Sequence, residues 1–364
     1  MKILLDNIIF SLQRSGGISV VWYEFLKRIL STKHKVDLFF LEFVEHENIF
    51  RIQLDIPKEN IFRKKKSFLF YERYFPLQLS FGDSSSCFIF HSSYFRVCSN
   101  PNAINITTVH DFTYEYFYRG LHKWIHCWQK YYAIRHSQYI VCISNNTKQD
   151  LLKFLPDVDE KKIRVIYNGV SDEYYPLLNI NNYKLPYPVN SYLLFVGERK
   201  AYKNFDLVVK SLKYLTYKLV IVGAELEKEE QKLLDKNLSS DNYCHVGRIS
   251  NYDLNILYNG AVALIYPSSY EGFGLPVIEA QKAGCPVIAY NSSSISEIIG
   301  ETPLLLHRLD LQELLKKVNM LSDLELRKDV IEKGIQNAKR FSWDDMYRKL
   351  IDLYLEAYDN NKKA

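Results

Sequence analysis

Glu271 and Glu279 are separated by the seven residues Gly-Phe-Gly-Leu-Pro-Val-Ile. Pro276 suits the first turn of a helix, where its missing N–H costs nothing. Gly272 and Gly274 let the backbone approach a ligand closely, just ahead of a helix N-terminus that favours oxyanions and hydroxyls. If the helix begins near Pro276, Glu279 lies one turn in and Glu271 sits in the loop before it. Two carboxylates then flank one cavity, each able to accept hydrogen bonds from a pair of sugar hydroxyls. The alternative, a capped helix with an incidental glutamate, accounts for one of these residues and not for both.

A second group, Gly197-Glu198-Arg199-Lys200-Ala201-Tyr202-Lys203-Asn204, gathers cations in one turn after an apolar run. Arginine presents a fork suited to phosphate and lysine a mobile point charge; a solvated basic turn is the other reading. His110-Asp111 follow the apolar run Ile104–Val109 directly. A lone histidine is more often a structural hydrogen-bonder than a catalyst, and both readings stand. Gly16-Gly17 open an amphipathic stripe, either to let the backbone pass close to a ligand or as a plain loop-to-helix turn. No Asp-x-Asp follows a strand-like run, so no metal is assigned. No G-x-G-x-x-G follows Leu5, which argues against a dinucleotide oxidoreductase.

These groups need elements to hold them. A chain of 364 residues with 47% hydrophobic content can build two cores. A net charge of +5 is too small for a dedicated nucleic-acid binder. Six scattered cysteines without a Cys-x-x-Cys pair read as thiols in a reducing compartment. Asp6 and Asn7 interrupt the apolar amino terminus before a signal-peptide core could form, and no run nears the roughly 18 apolar residues of a membrane span. A cytoplasmic chain, at most attached to a membrane surface, is expected.

Short β-like runs alternate with amphipathic stretches. Ile3–Leu5, Val36–Phe43, Cys87–Phe90, Ile104–Val109, Tyr139–Ile143 and Ile163–Tyr167 read as strands in the first half. Helices are expected after Gly17, over Arg119–His136 and over Lys148–Leu155, the last capped by Ser144. In the second half Tyr192–Val196, Leu219–Val222, Cys244–Val246, Ala261–Tyr266 and Pro286–Ala289 alternate with further helices. Such alternation predicts an α/β chain of two doubly wound, parallel-sheet domains. Residues 1–175 and 191–342 are the expected domains, 176–190 (rich in proline and asparagine) the linker, and 343–364 a helix returning to the first domain. Ligands of such sheets bind at the carboxyl ends of strands, where the loops named above fall.

The run from Glu271 to Glu279 resembles the signature of glycosyltransferase family 4, retaining enzymes of GT-B fold. Val109-His110-Asp111, Cys142-Ile143-Ser144, Val165–Val170 and Ala283–Ala289 agree with it, so the likeness covers nearly the whole chain. The resemblance implies two Rossmann-like domains facing across a cleft, the carboxyl one for a nucleotide-diphosphate sugar and the amino one for the acceptor. It places Glu279 on the ribose, Glu271 and His110 on the donor sugar, and the backbone of Gly272, Phe273, Gly274 and Leu275 on sugar or diphosphate. Arg199 and one lysine would stabilise the leaving diphosphate in place of a metal. Lys203 is preferred to Lys200 because the relatives' lysine commonly precedes an asparagine. Gly16 and Gly17 would approach the donor, Asp111 would orient His110 or meet the acceptor, and Gly247, Arg248 and Ile249, with Ser144, would border the base.

The implied reaction is retaining transfer of a hexosyl unit, from GDP-mannose or a UDP-hexose, to a glycan or lipid-linked acceptor in surface polysaccharide assembly. Neither cofactor nor nucleic acid is called for. The alternatives are a nucleotide-sugar epimerase on the same fold and an inactive sugar-nucleotide-binding protein. Two positions depart from the family pattern. Glu198 puts a negative charge before Arg199, and Gly223-Ala224-Glu225 lacks a second glycine that many relatives carry.

Arg63-Lys64-Lys65-Lys66, Phe68–Tyr71 and Arg73-Tyr74-Phe75 interleave cations with aromatics, as does Tyr114–His136. Segment 63–75 could rest on an anionic membrane at its inner, cytoplasmic face. An exposed basic loop followed by ordinary core aromatics is the competing reading.

Overall fold

Runs of Val, Ile, Leu and Phe without polar alternation suit strands buried on both faces, and each half of the chain folds around such runs. The computed structural model describes residues 1–32, 36–43, 47–65, 69–79, 81 and 86–362, with the backbone alone at Phe70. The chain divides into two units, Met1–Gly169 with Trp343–Ala364, and Val170–Ser342.

The first unit carries β1 (Lys2–Asp6), β2 (Asp37–Phe43), β3 (Ile61–Lys64), β4 (Phe88–Ser92), β5 (Ala103–Val109), β6 (Tyr139–Cys142) and β7 (Ile163–Val165). They pair in the order β3-β2-β1-β4-β5-β6-β7, all parallel. This is the doubly wound order, with its switch point between β1 and β4. Helices α1 (Gly17–Ser31), α2 (Gly120–Arg135) and α3 (Asn145–Phe154) connect strands; α1 buries Trp22, Phe25, Leu26 and Ile29. Ser144 caps α3, its Oγ accepting from the Thr147 N–H at 3.0 Å. The C-terminal helix Trp343–Lys362 completes this core: its buried Tyr354 hydroxyl meets His91 Nδ1 at 2.5 Å.

The second unit holds β8 (Tyr192–Val196), β9 (Lys218–Val222), β10 (Tyr243–Gly247), β11 (Ala263–Tyr266), β12 (Val287–Tyr290) and β13 (Leu305–Leu306). Their order is β10-β9-β8-β11-β12-β13, again all parallel. Helices α4 (Phe205–Ser211), α5 (Lys228–Asn237), α6 (Asn251–Gly260) and α7 (Leu275–Lys282) follow β8, β9, β10 and β11 in turn.

Two features differ from the sequence reading. Segment 176–190, expected to link the domains, is tied to the second unit. Asn255 and Asn259 of α6 accept from the Tyr175 and Leu177 N–H groups at 3.1 and 2.7 Å, and Asn190 N–H donates to Gly260 O at 2.8 Å. The asparagines of α6 give this irregular stretch its backbone partners, so the chain passes from one unit to the other at Gly169–Val170. Arg63 and Lys64, read as part of a membrane-facing segment or of a basic loop, lie on the edge strand β3, where alternating side chains tolerate their charges. Among the described residues, no helix is long and apolar enough to cross a membrane.

Candidate functional site

The carboxyl ends of β8 and β11 place the charged residues of the second unit. After β8, a 3₁₀ turn over Ala201–Lys203 ends at Asn204, which takes the left-handed conformation (φ 51°) that asparagine tolerates. The Asn204 side chain donates to Pro267 O and Ser269 Oγ, both at 2.8 Å, and Ser269 N–H donates to Tyr202 O at 2.7 Å. The loops after β8 and β11 are thereby bolted together. Lys203 Nζ and Glu271 Oε1 meet at 2.5 Å, with the ammonium near the rings of Tyr202 and Tyr266 at 5.3 and 5.4 Å. Lys200 goes elsewhere, to an exposed pair with Glu227 at 3.2 Å. Of the two lysines, Lys203 joins the glutamate cluster.

The turn carrying Glu271 is held from beneath by the loop after β12. Glu271 N–H donates to Ser293 Oγ at 2.8 Å, and Ser294 Oγ lies 2.9 Å from Glu271 O and 3.0 Å from Phe273 O. Gly274 caps α7 in the left-handed region (φ 98°), and a Cβ there would come within 2.6 Å of Ile295 Cδ1. Only glycine therefore allows this turn to lie flat on its support. Gly272 and buried Phe273 lie within the turn, and Leu275 and Pro276 open α7. The first N–H groups of a helix have no intrahelical partner, so this end can take an anion.

Glu279 sits one turn along α7, where the buried Tyr258 hydroxyl donates to Oε2 at 3.3 Å. Burial pushes its carboxyl up to about 7, which the Tyr258 bond only partly offsets. Near neutrality this group stands between its neutral and ionised forms.

Arg199, expected to offer its fork to a diphosphate, has a side chain that is almost fully buried and engaged within the unit. Nε donates to Glu230 Oε2 at 2.8 Å, and Nη2 donates to Ala224 O and Glu225 O at 2.7 and 2.9 Å. The fork braces the turn after β8 against the turn after β9, and Glu230 completes a capping box on α5. Gly223 belongs to the same brace, since a Cβ there would meet Gly197 O at 2.5 Å. Gly223 N–H donates to Gly247 O at 3.0 Å, which adds the turn after β10. Gly247 (φ 73°), exposed Arg248 and half-buried Ile249 form that turn.

On the first unit, β5 delivers His110 to a mostly apolar pocket lined also by Ile18, Trp22, His91, Thr108 and Asn168. Burial pushes the His110 imidazole down to about 4, Lys130 adding to the effect and Asp111 opposing it, so the ring is neutral at pH 7. His91 is pushed down to about 3, by burial and then by His110, and both its nitrogens are used, Nδ1 by Tyr354 and Nε2 by Thr108 Oγ1 at 2.9 Å. Burial pulls the Asp111 carboxyl up, but Lys130 and the Thr113 N–H, donating to Oδ1 at 2.9 Å, hold it below its usual range. Lys130, fully buried on α2, donates to Asp111 O at 2.8 Å and to Glu115 Oε2 at 2.9 Å.

Gly16 precedes α1 in extended backbone, and a Cβ there would lie 2.4 Å from Gln13 Oε1, whereas Gly17 faces open space. Their loop is fixed by Asn48, which donates to Gln13 O at 2.8 Å and to Ser19 Oγ at 3.1 Å.

Sequence reasoning missed Tyr258, Lys130, Ser293 and Ser294. The serines had a signal. The run Asn291-Ser292-Ser293-Ser294 follows a strand at its carboxyl end, where ligand loops belong. Segment 63–75 is only partly visible, since 66–68 fall outside the described residues; Lys64 pairs with Glu72 at 2.6 Å. Among the described residues no group of three or more His, Cys, Asp or Glu is placed to hold a metal ion.

Comparison with known proteins gives these sites a context. Residues 184–337 match the family of glycosyl transferases group 1, and residues 15–174 match glycosyltransferase family 4. An O-antigen chain mannosyltransferase of Escherichia coli is 24% identical over 233 residues, 60% of this chain and 60% of that protein. The chain spans about three fifths of the length of the curated relatives it matches. Among solved structures, sucrose-phosphate synthase of Thermosynechococcus elongatus superposes with a TM-score of 0.75 at 17% identity, covering 99% of this chain and 100% of that one. An Anabaena protein crystallised with UDP-glucose gives 0.70 at 14% identity, covering 98% and 100%. With the two family matches lying on the two doubly wound units, the chain belongs to the group 1 glycosyl transferases, of GT-B fold.

Proposed function

We propose that the protein transfers a hexosyl unit, with retention of configuration, from a nucleotide-diphosphate sugar to a hydroxyl of a glycan or lipid-linked glycan in surface polysaccharide assembly. The observation that carries this reading is the Lys203–Glu271 pair at the strand ends, with Glu279 one helical turn along α7. A diphosphate departing from the sugar gathers negative charge, and a preorganised ammonium with a helix N-terminus lowers the cost of that charge. Lys203 supplies the cation in a metal-independent reaction. Glu271 accepts from the sugar hydroxyls and Glu279 from the ribose pair. Arg199 acts by bracing the turns that frame the nucleotide. On the first unit, Gly16 and Gly17 leave backbone near the donor, neutral His110 offers an uncharged ring to the reacting sugar, and Asp111 shapes the turn on the acceptor side. The leaving phosphate oxygen takes the acceptor's proton, so no enzymic nucleophile is needed.

The E. coli relative's name favours mannose as the sugar, hence GDP-mannose, and the Anabaena complex favours a UDP-hexose. Work at the cytoplasmic face of a membrane follows from a lipid-linked acceptor. The test is a thermal-shift screen with UDP, GDP, dTDP and ADP sugars, followed by product analysis with donor alone and with an acceptor panel. One sugar nucleotide should raise the melting temperature and be consumed only when acceptor is present. Isomerisation of donor without acceptor would instead identify an epimerase, and binding without turnover across the panel a carrier.

A further inference from the structure

The two carboxylates of the second unit are supported differently. Glu271 shares its charge with Lys203, whereas no lysine, arginine or histidine among the described residues pairs with Glu279. What meets Glu279 is a phenol. Tyr258 on α6 is fully buried, and its hydroxyl lies 3.3 Å from Glu279 Oε2 and 3.5 Å from Pro276 O. The hydroxyl has one proton, and Pro276 O already faces the Ala280 N–H within α7, so the carboxylate is the acceptor in need. The other oxygen, Oε1, has no hydrogen-bond partner among the described residues and is not sealed from solvent. The phenol is firmly seated. Its ring meets that of Tyr174 edge-on at 5.9 Å, and the Tyr174 hydroxyl donates to Asn251 Oδ1 at 3.1 Å, at the start of α6. The Tyr192 hydroxyl donates to Leu257 O at 2.7 Å, pinning the turn from which Tyr258 projects. The titratable groups around Glu279 and Tyr258 are Tyr174, Tyr266 at the end of β11 and Cys285 after α7. Burial pushes the three phenols and the thiol up, so all four are uncharged near neutrality.

We infer that Tyr258 is a positioning residue for the donor's ribose, acting through Glu279: its hydroxyl holds Oε2 and leaves Oε1 to the ribose hydroxyls. The inference rests on the proposed assignment of Glu279 to the ribose and adds the residue that makes this carboxylate an effective acceptor. A donor to a carboxylate favours its charged form, so Tyr258 works against the burial that keeps the proton on Glu279. At 3.3 Å the bond is longer than the usual O–H···O spacing. A carboxylate that ionises fully as it takes the ribose draws the phenol in, because bonds to charged acceptors are shorter and stronger. Phenylalanine at this position keeps the ring that packs on Tyr174 and loses only the proton donor.

The experiment is calorimetric titration of the full chain with UDP, GDP and ADP and with their 2′,3′-dideoxy analogues across neutral and mildly alkaline pH. The proteins are wild type, Tyr258→Phe, Glu279→Gln, and Tyr174→Phe as a control that removes a buried phenol of the same cluster whose bond goes to Asn251. Wild type should prefer one ribonucleotide to its dideoxy analogue. Tyr258→Phe should weaken that ribonucleotide about fivefold or more near neutrality, leave the dideoxy analogue unchanged, and move the rise of affinity to higher pH. Tyr174→Phe should keep the wild-type preference and pH profile, and thermal melts check that both phenylalanine variants are folded. If Glu279→Gln removes the ribose preference while Tyr258→Phe keeps it with the wild-type pH profile, Tyr258 is a packing residue and the inference fails with the ribose assignment intact. If wild type shows no ribose preference, or Glu279→Gln preserves it, the ribose assignment itself falls and this inference with it.

Discussion

Ion pairs chosen from the two units show charge put to opposite uses. In the first, Asp6 at the end of β1 takes a two-pronged bond from Arg96, both contacts at 2.8 Å and both residues sealed from water. Lys130 with Glu115 is equally closed. In the second unit, Lys203 and Glu271 meet at the strand ends with side chains still 13% and 12% exposed. A sealed pair has no ligand to offer itself to, so its value lies in fixing the backbone around it. A pair left open to solvent can exchange its partner for a substrate. Ion pairs of similar length thus differ in role by their access to water, which sequence does not display.

Removing one member of each pair should separate these roles. Lys203→Ala is expected to lower turnover by about 10²–10³-fold, the range for deleting a preorganised group from a site of developing charge. Asp6→Ala, which strands a buried guanidinium, should instead cost about 3–5 kcal/mol of stability. Steady-state kinetics and thermal melts on both variants check the pair. Equal loss of stability in the two would erase the distinction.

A smaller effect comes from Glu279. If Glu279 holds the ribose as proposed, the ionised carboxylate is its better acceptor for two hydroxyls, and burial raises it from 4.5 to about 7. The folded state therefore holds this proton more tightly than the unfolded chain, and the group's contribution to stability falls as pH rises from 4.5 to about 7. Ligand binding runs the other way. Affinity for the nucleoside diphosphate should rise about tenfold between pH 6 and 8, and Glu279→Gln should flatten that rise. Calorimetric titration across pH would show it.

The subtlest expectation concerns Arg199. If its fork braces two turns, Arg199→Ala should weaken nucleoside mono- and diphosphates by a similar few-fold factor. A loss confined to the diphosphate would return Arg199 to the phosphate site.

The sequence disclosed much of this architecture because fully buried parallel strands are apolar throughout. Tyr192–Val196 is delimited alike by sequence and structure, and the helix expected to begin near Pro276 starts one residue earlier, at Leu275. Strand β3 escaped because an edge strand can carry Arg63 and Lys64. Glu271 and Glu279 were legible since glycine, proline and glutamate at fixed spacing have few other uses. Their supports were not. Ser293, Ser294 and Tyr258 act through bonds between residues distant in the chain, which periodicity does not encode. Arg199 shows the converse, a residue of the right type in the right loop whose partner, Glu230, lies beyond the next strand on α5.

The helix Trp343–Lys362 seals the first unit's core, yet it is the last part of that unit to be synthesised. Residues 170–342 emerge from the ribosome in between, so the face of Phe25 and His91 that awaits Tyr354 stays uncovered while the second unit is made. Domains ordinarily mature in order of translation. Here the amino-terminal unit is expected to finish last, and a stalled or truncated nascent chain would carry an open apolar wound, the kind of surface that chaperones retain.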